Sequence, residues 1–226
     1  MNIPNSLSLA RICLIPLFVA AFFLPYAWGV WTALAIFVVC CFTDFLDGYI
    51  ARKYNMITDL GKLLDPIADK ILICAALFCV VAVNPLQYFN GALITMPNSL
   101  FAATFGSILL TVGSILILAR ELLVSAVRMI AASKGIVVQA NIFGKIKTVM
   151  QDVCLPLLIV LCVQCYTWNA NSYRPTGISV IYKLWDLVWI AAVVLFVLTI
   201  AMTIISGAIY IVQNKKVFIQ DEAENK

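Results

Sequence analysis

The sequence predicts an all-α, polytopic membrane protein with a bundle of six transmembrane helices. Three observations predict it. Of the 226 residues, 64% are hydrophobic, where a soluble domain has about half, and the mean hydropathy is +1.04. The apolar residues gather into six runs, each near or above the roughly 20 residues that cross a hydrocarbon core. Charged residues are only 12% of the chain and many lie between those runs or toward their ends, as the cost of burying charge in lipid favours.

In chain order, the first span is expected over 8–26 and the second over 31–47. The third is expected over 64–83, the fourth over 100–128, the fifth over 146–166 and the sixth over 184–212. Several runs exceed the thickness of a bilayer, so their helices are expected to continue beyond it. Residues 1–213 form one membrane domain, and 214–226 form a polar tail. Lys and Arg near span ends set orientation. Arg52, Lys53, Lys62, Lys134, Lys145, Lys147, Lys215 and Lys216 fall on one side, against Arg174 and Lys183 on the other. The first side is therefore read as cytoplasmic, with both termini on it.

Composition excludes whole classes of chemistry. There is no histidine, so His triads, His general bases and His metal sites are ruled out. The net charge is +4 and the basic residues are dispersed, whereas nucleic-acid binding needs a contiguous basic face. Most of the eight cysteines lie within apolar runs and read as small hydrophobes. Cys162 and Cys165 have CxxC spacing without a second pair, which argues against zinc.

One stretch breaks the apolar pattern. Residues 44–70 read DFLDGYIARKYNMITDLGKLLDPIADK. Asp44 and Asp47 are three apart, and Asp65 and Asp69 four apart, so each pair shares a helix face. A hairpin of consecutive spans would bring both faces together at the cytoplasmic interface. Uncompensated, four such charges cost on the order of 10 kcal/mol in lipid. Oxygen-only ligands favour a hard dication, Mg²⁺ or Mn²⁺, and four carboxylates suffice for two ions in the layout used for phosphoryl transfer. The alternative is a set of ordinary ion pairs, with Lys62, Lys70 and Arg52 nearest in sequence. Asp59 is expected mid-loop, solvated or capping. Gly48, Ala51 and Gly61 flank the acids; small residues there allow a ligand or a neighbouring helix to approach the backbone.

Written as spacing, the stretch is Asp44-x2-Asp47-Gly48-x2-Ala51-Arg52-x8-Gly61-x3-Asp65-x3-Asp69. It resembles the signature of the CDP-alcohol phosphotransferase family at every fixed position. The opening MNIPNSLSLARICLIPLF, the run LLDPIADK and the segment ARELLVSAVRMIAASKGIVV followed by GKIKT are similar to the bacterial members that use glycerol 3-phosphate. The resemblance implies a membrane enzyme of the bacterial inner membrane that takes CDP-diacylglycerol as phosphatidyl donor. It implies two divalent ions on Asp44, Asp47, Asp65 and Asp69, and Asp69 as general base. It also implies that Gly48, Arg52 and Thr58 bind the CDP group, and that the chain forms a homodimer. Asn5, Ser8 and Arg11 are placed at the border of the donor's head group. Ser8 is equally suited to cap the first helix, and Arg11 to anchor it.

A dianionic acceptor needs cations. Arg120 and Arg128 are eight apart, about two helical turns, and Lys145 and Lys147 open the next span. Arg forks a phosphate and Lys supplies a point charge. These four are assigned to the acceptor phosphate; the alternative, positive-inside anchoring by snorkelling side chains, suits Lys134 and is open for Lys147. Glu121 is expected to pair with a neighbouring cation. Serine, inositol phosphate or phosphatidylglycerol as acceptor would keep the same fold. A divalent-cation transporter would use the same carboxylates but leave the Gly/Ala/Arg spacing without a purpose.

Overall fold

The computed structural model of the chain describes residues 3–54, 59–88, 100–133, 142–170 and 179–213. Within these, the side chains of 3–8, 45–54, 59–66, 87–88, 100–103, 132–133, 164, 166–170 and 179–186 lie outside the description. The described residues form six α-helices and no strand: α1 Ile3–Phe22, α2 Ala27–Tyr54, α3 Asp59–Val83, α4 Leu100–Ser133, α5 Ile142–Ala170 and α6 Ser179–Gln213. A 3-10 turn, Pro85–Tyr88, follows α3. The expected all-helical polytopic class is the observed one.

Each expected span appears as a helix, and most helices overrun it. The apolar signal stops where charge begins, but backbone hydrogen bonding does not. Thus α2 runs on to Tyr54 and carries Asp44 to Arg52 on continuous helix. Two boundary expectations are corrected. The first helix begins at Ile3 rather than near residue 8, so Ser8 lies inside it and is not its cap. Asp59 opens α3 instead of sitting mid-loop, and the positive end of the helix dipole favours a carboxylate there. Helix α1 stops at Phe22 ahead of Pro25, and the turn closes through Tyr26 N donating to Leu24 O at 2.8 Å.

Four described stretches are long and apolar enough to cross a membrane: Ala27–Asp44, Thr104–Ala131, Ile142–Val163 and Leu187–Gln213. Leu9–Phe22 is a shorter apolar helix. Large apolar side chains are widely exposed, among them Phe42, Phe78, Phe105, Ile115, Val149 and Ile204. In water such a surface would be an aggregation hazard; in a bilayer it is the lipid-facing surface.

The chain divides into two compact units, Met1–Leu110 with Leu155–Trp189, and Thr111–Cys154 with Ile190–Lys226. In the first, α1 packs against α2 and α3. Phe18 meets Phe22 at 5.8 Å and Phe37 at 6.1 Å between ring centroids. From α3, Ala68, Leu72, Ala76 and Val80 are buried at helical spacing. In the second, Val124, Val127 and Tyr210 form an apolar cluster. Thr199 and Thr203 are buried on α6, and each hydroxyl donates to the carbonyl four residues back, which satisfies it without water.

Candidate active site

The Asp motif lies on two helices of the first unit. Asp44 and Asp47 sit three apart near the C-terminal end of α2, and Asp65 and Asp69 four apart in the first half of α3. The described side chains are those of Asp44 and Asp69, both partly exposed. Asp47, Gly48, Ala51, Arg52, Gly61 and Asp65 lie on described helix, but their side chains fall outside the described residues, as do those of Asn5 and Ser8. Thr58 falls outside altogether.

Asp44 has a partner the sequence did not indicate. Arg11 of α1 donates through its NH1 to Asp44 Oδ1 at 2.5 Å. The Arg11 side chain is fully buried, while that of Asp44 is 45% exposed. Arg52, Lys62 and Lys70 were the neighbours in sequence; α1 packing on α2 brings to Asp44 a cation from 33 residues away. A carboxylate has two oxygens, so the pairing fixes Asp44 through Oδ1 and leaves Oδ2 for another cation. Among the described residues, no three acidic or cysteine side chains come together as a metal site, since half of the quartet lies outside them. The donor set present, all oxygen and set at 3- and 4-residue helical spacing, suits a hard divalent ion.

The basic residues of α4 and α5 lie in the second unit. Arg128 and Lys145 are exposed and make no ion pair with any described residue. Arg120 is more enclosed, with its side chain 13% exposed. Its NH1 donates to Glu121 Oε1 at 3.1 Å, the pairing expected for Glu121. Lys147 is not a snorkelling anchor. It is 1% exposed, and its ammonium donates to Glu121 Oε1 and to Gln151 Oε1. One carboxylate oxygen thus receives both cations. Gln151, itself 2% exposed, was missed by the sequence reading; its i, i+4 position after Lys147 was the available signal. Gly207 was also missed, and nothing in the sequence marks it. A Cβ there would stand 3.3 Å from Arg120 Cγ.

Comparison with known proteins adds the family. The model of the CDP-alcohol phosphatidyltransferase family matches residues 1–205. The chain is 35% identical over 171 residues to the CDP-diacylglycerol–glycerol-3-phosphate 3-phosphatidyltransferase of Bacillus subtilis strain 168, covering 70% of this chain and 77% of that one. It is 35% identical over 160 residues to the Escherichia coli K12 protein of the same name, covering 70% and 76%. It is 37% identical over 160 residues to the Shigella flexneri serotype 5b protein of that name, with the same coverage.

Proposed function

Since the chain belongs to the CDP-alcohol phosphatidyltransferase family, we propose that it moves a phosphatidyl group from CDP-diacylglycerol to sn-glycerol 3-phosphate. The products are phosphatidylglycerol phosphate and CMP, and the reaction serves phosphatidylglycerol synthesis. The observation that carries this reading is the pair of acidic i, i+3 and i, i+4 faces on α2 and α3. The named bacterial relatives support the choice of donor and acceptor.

The reaction is a direct displacement. The sn-1 hydroxyl of the acceptor attacks the β-phosphorus of the donor. A new P–O bond forms, the bond to the CMP oxygen breaks, and CMP leaves with the electron pair. Asp69 would take the hydroxyl proton as general base. Asp44, Asp47, Asp65 and Asp69 would hold two divalent cations, Mg²⁺ or Mn²⁺, which supply neutralisation of the pyrophosphate charge. Arg11 would orient Asp44 through its Oδ1. Gly48, Ala51, Arg52, Thr58 and Gly61 are assigned to the CDP group, with Asn5 and Ser8 at its border.

Arg120, Arg128 and Lys145 are assigned to the acceptor's phosphate, with Lys147 adding positive charge from its buried position. Exposed cations without described partners, as Arg128 and Lys145 are, suit a dianionic ligand. The catalytic end faces the cytoplasm, where the nucleotide and the polar acceptor are dissolved and the acyl chains stay in lipid. Both termini share that side, and the enzyme acts as a homodimer.

The test is CMP release by purified protein in detergent, scored over a panel of acceptors. Release with glycerol 3-phosphate, and not with serine, inositol phosphate or phosphatidylglycerol, is expected. Release only with another alcohol would overturn the acceptor while keeping the family chemistry.

A further inference from the structure

Glu121 belongs to none of the roles above, yet it organises the cations around it. Its Oε1 accepts from Arg120 NH1 at 3.1 Å and from the Lys147 ammonium. Neighbouring residues on a helix do not normally face one another, yet Arg120 and Glu121 are in contact through their side chains. Lys147, one helix later, is locked from the other side by Gln151.

Two glycines come close to Arg120. Gly207 on α6 leaves space where a Cβ would stand 3.3 Å from Arg120 Cγ, and Gly144 on α5 leaves space where one would stand 3.5 Å from its NH2. The stem of Arg120 therefore lies against Gly207 and its guanidinium near Gly144. Its Nε is buried and finds no hydrogen-bond partner among the described residues. A guanidinium has five N–H donors in a fixed fork. One edge is spent on Glu121, and a buried donor is left over, which is a cost unless a ligand satisfies it.

The geometry points to Glu121 as a positioning residue for the acceptor phosphate, acting through Arg120, with Gly207 as the slot that admits the Arg120 stem. Glu121 touches no substrate in this assignment. It holds Arg120 in one rotamer and balances Lys147, so the fork is ordered before the dianion arrives. The gain is pre-organisation: without the clamp, binding itself would have to immobilise a long side chain. This assignment rests on the reading of Arg120 as a phosphate ligand.

The test uses the full chain in detergent, with glycerol 3-phosphate and CDP-diacylglycerol varied in turn. Glu121→Gln keeps the side-chain shape and removes the charge. It is expected to raise KM for glycerol 3-phosphate by about 5- to 20-fold, the scale of a charge-assisted hydrogen bond. KM for CDP-diacylglycerol should stay within about twofold, and kcat should fall less than KM rises. Gly207→Ala leaves every charge in place and pushes on the Arg120 stem. It should raise the same KM by about threefold, and it carries the test if Glu121→Gln does not fold. In an Arg120→Ala background, both substitutions should lose their effect, because residues acting through one group are not additive.

A KM for glycerol 3-phosphate that is unchanged or lowered in Glu121→Gln would overturn the clamp, the lowered value meaning that Glu121 competes with the phosphate. Full effects persisting in the Arg120→Ala background would overturn it too. If Arg120→Ala itself leaves that KM unchanged, the acceptor-site reading fails first, which separates the two failures.

Discussion

Arg11 and Asp44 stand 33 residues apart in the chain and meet at 2.5 Å, the guanidinium fully buried and the carboxylate half exposed. The contact ties α1 to the first acid of the motif. If Asp44 holds metal as proposed, a helix that carries none of the quartet would orient one of its ligands.

Replacing Arg11 by Leu removes the buried charge and strands Asp44. The expected destabilisation is about 1–3 kcal/mol, below that of a fully buried pair because water still reaches Asp44. It should appear as a lower apparent melting temperature in detergent, and Arg11→Lys should restore part of it. An unchanged melting curve for Arg11→Leu would show that the pair contributes nothing to the fold.

Asp69→Asn keeps size and polarity but cannot accept the proton. CMP release should fall by roughly 10²–10⁴-fold, the range for a general base, with the melting temperature nearly unchanged. A loss under tenfold would remove Asp69 from the proton-transfer role.

Chelation should abolish CMP release, and added Mg²⁺ or Mn²⁺ should restore it, since an all-oxygen donor set selects hard ions. Zn²⁺ should restore little. Full turnover in the presence of excess chelator would rule out the assigned role of the four aspartates.

Arg128→Ala and Lys145→Ala should each raise KM for glycerol 3-phosphate by about tenfold, the loss of one charge-assisted contact, and leave KM for CDP-diacylglycerol in place. Equal effects on both substrates would instead indicate a general loss of structure.

Gly113 on α4 faces Phe196 and Ile200 of α6. A Cβ there would stand 2.8 Å from Phe196 Cζ and would also meet Ile200 Cδ1. Gly113→Ala is therefore expected to cost about 1–3 kcal/mol through overpacking, read as a lower melting temperature. A second change, Phe196→Leu, should recover part of the loss by opening room.

Hydropathy, charge placement and one motif were enough to specify six helices, a membrane solvent and the family, and to single out four aspartates as candidates. These are local or periodic signals: a run of apolar residues needs only its own length to demand a bilayer, and i, i+3 or i, i+4 acids share a face on any helix. Helix ends were less legible, because hydropathy falls at the interface while the hydrogen-bonded ladder of α2 continues to Tyr54. Which cation meets which acid was decided by tertiary structure alone. Sequence proximity offered Arg52, Lys62 and Lys70 as the ion-pair partners of the motif acids, and placed Lys147 among the acceptor-phosphate cations with a surface anchor as the alternative. Packing gave Asp44 to Arg11, buried Lys147 against Glu121 and Gln151, and set Gly207 beside the Arg120 stem. A charge inside a membrane protein takes whatever partner the rotation and crossing of neighbouring helices bring within reach, and those angles are set by the side chains of every helix at once.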